Sequence, residues 1–166
     1  MPGTAAEHIV LKRGDVAADF AFLDRLIRSG LVRKLYDDHD FDDAGIGRYD
    51  LDGDGQYELL VGIAGNAFCH REPCSVFLYR LWQGQWHWIG EMQVAYESSW
   101  ANYEVIVESQ RHDGWRILSD GEYWKCWIGR FHARRDYQTK DQFGIPRHPE
   151  GGYFRRVKRG EPCPDD

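Results

Sequence analysis

The stretch from Ser75 to Ala95, SVFLYRLWQGQWHWIGEMQVA, decides the fold. Aromatic and β-branched residues crowd both sides of Gln83-Gly84-Gln85. Phe77, Tyr79 and Leu81 alternate with other residues before the turn, and Trp86 and Trp88 do so after it. A period of two puts alternate side chains on one face of a sheet. Two such runs joined by a short Gly-bearing connection read as a hairpin. The spacing therefore predicts strands over 75–82 and 86–95.

The same grammar extends in both directions. Strands are expected near 57–63, 103–109, 115–118, 122–132 and 152–158. His112-Asp113-Gly114 and Ser119-Asp120-Gly121 are turns of the Asp-Gly kind, which supply positive φ cheaply. Strands that follow one another through short turns make an antiparallel meander rather than βαβ units. Three Gly-turn hairpins also allow the meander to be built as degenerate, propeller-like blades. One helix is expected, over 15–36, where Phe20, Leu23, Leu26, Ile27 and Leu31 recur at three- and four-residue steps. Asp15 is its natural N-cap, and Gly30 ends or divides it. The acidic run 37–43 is too charged for a core. Residues 133–150 are polar, hold Pro146 and Pro149, and read as a long loop ahead of a C-terminal strand and tail over 151–166.

The whole reads as a single domain over 1–166, mainly β, with the metal-binding loop described next and the antiparallel sheet over 50–132. Aromatics form 14% of the chain, more than a disordered segment carries. The net charge of −6 argues against a nucleic-acid backbone as partner. Arg155, Arg156, Lys158 and Arg159 cluster near the C-terminus, and the plainer reading of that cluster is a solvated face. No apolar run approaches the roughly 20 residues that a membrane span needs. Met1 to Ala6 is followed by Glu7 and His8, not by an apolar leader region. The four cysteines suit an oxidising compartment. A periplasmic or exported location is thus expected if a leader has been removed, with the cytoplasm as the alternative.

Asp50-Leu51-Asp52-Gly53-Asp54-Gly55-Gln56-Tyr57-Glu58 reads as a calcium loop feeding a strand. Calcium takes six to eight oxygens, and alternate aspartates deliver several from one short stretch. Asp50, Asp52 and Asp54 can converge while Leu51 and Gly53 face away. Gly55 permits the bend, and Gln56 offers its carbonyl. A twelve-residue EF-hand closes with a Glu at its last position, but Val61 stands there. Glu58 is the substitute, three residues earlier. That shorter spacing, with Leu59, Leu60 and Val61 following directly, points to a static brace rather than a sensor.

Asp50–Val61, DLDGDGQYELLV, resembles the calcium-loop segment of FG-GAP/VCBS-like modules. It is especially similar to small exported bacterial proteins in which this segment precedes a Cys-flanked loop and a strand, here Phe68–Tyr79. Some of these are calcium-binding, propeller-like periplasmic immunity proteins that neutralise peptidoglycan-degrading toxins delivered by secretion systems. The resemblance covers roughly residues 48–130 in order of features, and its specific part is the calcium loop. Between Cys69 and Cys74 such proteins often carry Gly-rich sequence, where this chain has His70-Arg71-Glu72-Pro73. The resemblance implies bound Ca2+, a secreted hydrolase as protein partner, and an inhibitory rather than enzymatic role.

Four cysteines allow three pairings. A local Cys69–Cys74 disulfide, stiffened by Pro73, leaves Cys126 and Cys163 to pin the tail to a strand. The rivals are a zinc site from Cys69, His70 and Cys74, and free buried thiols. Enzyme motifs such as G-x-S-x-G, H-E-x-x-H and the P-loop are absent from the sequence. Glu91, Glu97, Glu104 and Glu108 lie on or beside strands and are expected on a solvent face, as is His87 in its hairpin. The turn of Ser119, Asp120, Gly121 and Tyr123 is similar in composition to the Ser- and Tyr-bearing loops of bacterial lysozyme inhibitors. It is the candidate partner-binding surface, against the plainer reading of a hairpin turn. Seven tryptophans raise the alternative of a carbohydrate- or cell-surface-binding module, which an exposed aromatic row would support.

Overall fold

A computed structural model describes residues 5–13, 45–63, 74–94, 96–97, 102–129, 140–141, 144–147 and 152–165. These residues are mainly β. Ten strands follow in chain order: β1 (Glu7–Arg13), β2 (Gly45–Tyr49), β3 (Glu58–Ile63), β4 (Cys74–Trp82), β5 (Gln85–Val94), β6 (Tyr96–Glu97), β7 (Asn102–His112), β8 (Trp115–Ser119), β9 (Tyr123–Ile128) and β10 (Tyr153–Lys158). The expected helix over 15–36 lies outside the described residues.

The hydrogen-bonded order is β10-β9-β8-β7-β1-β2-β3-β4-β5, with the short β6 on β7. Every strand pairing is antiparallel. Two consecutive meanders, β2 to β5 and β7 to β10, are joined by β1, which serves both sheets. Its residues Glu7 to Leu11 pair with β7, and Lys12 and Arg13 pair with β2. Each meander has the strand count of a propeller blade. The propeller-like arrangement is nevertheless not confirmed, because β1 hydrogen-bonds the two meanders to one another where blades would be separate sheets. Among the described residues no ladder joins β5 to β10, so the barrel is not closed.

Turn chemistry closes the β4–β5 and β7–β8 hairpins tightly, although each ladder shifts register further along, at Leu78/Tyr79 and between Val107 and Arg111. Gln83 and Gly84 both take positive φ (48° and 75°), the mirror-image turn whose twist matches that of the strands it joins. Asp113 and Gly114 repeat it with φ of 49° and 84°. The core lies between the two sheets and includes Leu11, Leu60, Leu78, Ile89, Val105 and Leu118. At one end Trp115 and Trp127 stack with centroids 3.9 Å apart, and Phe154 meets both edge-on.

His87 departs from expectation. It is buried rather than exposed. Part of the polar segment 133–150 returns across β5, with Trp88 N–H donating to the Pro146 carbonyl at 2.8 Å, and Ile145 and Asp141 are buried there. His87 Nδ1 lies 3.3 Å from the Arg147 carbonyl. The buried Tyr79 hydroxyl donates to Asp141 Oδ2 at 2.6 Å, which fixes this segment onto the sheet. The glutamates expected on a solvent face divide. Glu104 is exposed and Glu91 is half-buried. Glu108 is buried, and it accepts the Trp124 indole N–H at 3.3 Å.

Candidate metal centre

The acidic loop is the connection between β2 and β3, closed at its base by the Tyr49–Glu58 pair of the antiparallel ladder. Leu51 anchors it: the side chain is fully buried in the core, and its carbonyl accepts the Arg116 backbone N–H at 2.8 Å. With that anchor inside, the flanking aspartates are held at the loop's outer side. Asp50 Oδ1 accepts from Gly53 N at 2.8 Å and its Oδ2 from Gly55 N at 3.0 Å. Asp52 Oδ1 accepts from Asp54 N at 3.0 Å, and Asp54 Oδ1 from Gln56 N at 2.7 Å. Each is a side chain capping its own turn, the habit that makes Asp favourable in such loops. Gly55 sits at φ 90°, where a Cβ would be strained.

Glu58 is the first residue of β3 and is only 1% exposed. Its Oε2 accepts the Leu51 N–H at 2.8 Å. The fold thus brings carboxylate oxygens of Asp50, Asp52 and Glu58 within 4.8 Å of one another. All three donors are carboxylate oxygens, the kind that hard cations take, so the cluster could hold a metal ion. Asp54 and Gln56 are exposed at the loop's rim.

Arg80, near the C-terminal end of β4, is the charge that the sequence did not reveal. Its Nη2 lies 2.8 Å from Asp52 Oδ2 and 3.5 Å from Asp54 Oδ2, and its guanidinium rests 5.0 Å from the Trp115 ring centroid. Arg80 thus pairs with two of the loop's four carboxylates, and the acids respond. Burial pushes Glu58 up to about 8, reinforced by the nearby Asp52 and Asp54 charges, against the opposing pull of the Leu51 N–H and Arg80. Asp52 is also raised, mainly by burial. A buried acid that holds its proton near neutral pH marks a place short of positive charge, which a divalent ion would supply.

The other residues singled out in the sequence lie apart from this centre. Ser119 is fully buried, and its Oγ accepts the Gly121 N–H at 2.9 Å. Asp120 Oδ1 caps the turn by accepting from the N–H groups of Glu122 and Tyr123 at 2.9 and 2.7 Å. Tyr123 is half-buried beneath the Arg156 guanidinium. Cys74 opens β4, while Cys69 lies outside the described residues, so their pairing does too. Cys126 and Cys163 form a disulfide that ties the tail to β9. Of the described tryptophans, Trp88, Trp115 and Trp127 are buried, and Trp82, Trp86 and Trp124 are half-buried. Tyr57 is the exposed large aromatic among the described residues, at 61%. No protein-family model, no curated protein and no solved structure matches this chain.

Proposed function

We propose that this chain is a calcium-braced inhibitor, an immunity-type protein that neutralises a secreted bacterial toxin, with a cell-wall hydrolase as the target class. The observation that carries the calcium part is the convergence of the buried Glu58 carboxylate with Asp50 and Asp52. In this reading Asp50, Asp52 and Glu58 give carboxylate oxygens, Asp54 joins them from the rim, and Gln56 contributes its carbonyl. The ion ties the β2–β3 connection to the sheet and takes no part in chemistry.

Two features favour a brace. The loop is closed by a ladder pair at its base, and Leu51 locks its middle into the core. A loop held at both points has little freedom to open and close, which a sensor requires. The inhibitory role rests on the resemblance of residues 48–130 to exported immunity proteins. An exported location follows from that role, and the Cys126–Cys163 disulfide is compatible with it.

A thermal melt in calcium and in chelator tests the brace. At 100 Kd of free calcium the gain is about 2.7 kcal/mol. For a chain of this size that corresponds to a midpoint roughly 5–10 °C higher. Identical midpoints would overturn calcium binding. The inhibitory role is tested separately, by adding the protein in stoichiometric amounts to a secreted muramidase, amidase or lipase encoded beside its gene. Unchanged hydrolysis counts against inhibition and leaves the calcium result standing.

A further inference from the structure

A depression of about 260 Å³ lies between β5 and the β9–β10 pair, away from the acidic loop. Lys125 and Arg156 line it together with Tyr123, Glu91, Gln93 and Asp120. Lys125 and Arg156 stand directly opposite one another in the β9–β10 ladder. Directly opposed side chains share a face, and like charges placed so are destabilising. The next pair along the same face is Trp127 and Phe154, both in the core. The two cations therefore sit on the inward face of the sheet, where the core opens to solvent.

We infer that this depression binds a small oxyanion, a carboxylate or a phosphate, held between Lys125 and Arg156. The carboxylates beside them already have donors. Glu91 Oε1 accepts from Ser75 Oγ at 3.2 Å and from Gln93 Nε2 at 3.4 Å. Asp120 Oδ1 accepts two backbone N–H groups. The cations do not have acceptors: among the described residues, neither Lys125 nor Arg156 makes a hydrogen bond or an ion pair. Arg156 instead stacks with its guanidinium carbon 3.5 Å from the Tyr123 ring centroid, which fixes its plane and leaves its N–H edges free to meet an anion.

Charge selects the size of the guest. Glu91 from β5 and Asp120 from the β8–β9 turn bring negative charge to Lys125, and Arg156 from β10 brings positive charge. A ring of mixed sign repels an extended polyanion and admits one compact anionic group. Burial lowers the Lys125 ammonium to about 8, so an anion also supplies the counter-charge that keeps it protonated.

Calorimetric titration with inorganic phosphate and with succinate, at pH 7 and at ionic strength matched with sodium chloride, tests this site. Saturable binding is expected for at least one of the two. Binding by only one identifies which oxyanion chemistry the site takes. Affinity should fall at least tenfold in Arg156→Gln, an exposed position whose change leaves the core intact, and similarly in Lys125→Gln. Where succinate binds, its affinity should also weaken from pH 7 to pH 9. Heat no greater than that of the chloride control, or equal binding by the wild type and Arg156→Gln, overturns the inference.

Discussion

Glu58 is an acid buried at the start of a strand, and its proton is the most telling one in the molecule. Its folded pKa, near 8, stands above the ordinary carboxylate value of 4.5. Below pH 4.5 the group is protonated whether the chain is folded or not. As pH rises towards 8, the unfolded chain sheds this proton while the folded one keeps it, so stability falls with pH across that window. In chelator, denaturant midpoints should therefore decline from pH 5 to pH 8, and saturating calcium should flatten the slope. Calcium must displace the proton, so its binding enthalpy at pH 7 should vary with the ionisation enthalpy of the buffer. A buffer-independent enthalpy would refute that coupling. Glu58→Gln should weaken calcium tenfold or more by calorimetry while removing most of the pH slope in chelator. At this scale the sequence displayed the donors plainly, because Asp-x-Asp-x-Asp-Gly is a local pattern. It concealed Arg80, which lies 28 positions beyond Asp52 and reaches the loop only through the β3–β4 pairing.

Apart from the two-residue β6, which no reading anticipated, the strands from β3 onward were legible within a residue or two at most ends, since alternation and Asp-Gly or Gln-Gly turns are properties of neighbours in sequence. β1 and β2 were not. Glycine weakens strand propensity, and GIGRY carries two. Yet Gly47 is required by packing: a Cβ there would stand 2.3 Å from Leu11 Cδ2 and 2.9 Å from Ile9 Cγ2. Gly152 is tighter still, with the Trp127 ring 1.9 Å from where its Cβ would be. Overpacking of this kind costs about 1–3 kcal/mol. Gly47→Ala and Gly152→Ala should each lower the urea midpoint by a corresponding amount, and unchanged midpoints would mean that the neighbouring side chains yield freely. His87 was misplaced for a related reason. A hairpin pattern reports which face a residue occupies, but not that residues 145–147 will fold back across it.

For the molecule as a whole, the tail is held to the sheet by the Cys126–Cys163 disulfide, which spans 37 positions. The chain-entropy model gives a closure of that length about 4 kcal/mol. Cys163→Ser, with the wild type as control in non-reducing buffer, should lower the thermal midpoint by roughly 8–15 °C. A shift within error would mean that the tail is held by its other contacts. The sequence by itself determined the antiparallel β character, the hairpins and the acidic loop, because each depends on residues a few positions apart. Only the tertiary structure decided that β1 links two meanders, that Arg80 faces the acids, and that Lys125 meets Arg156 across an open depression. Those are pairings between distant segments, fixed by strand register and by which faces pack together, and no local pattern carries that information.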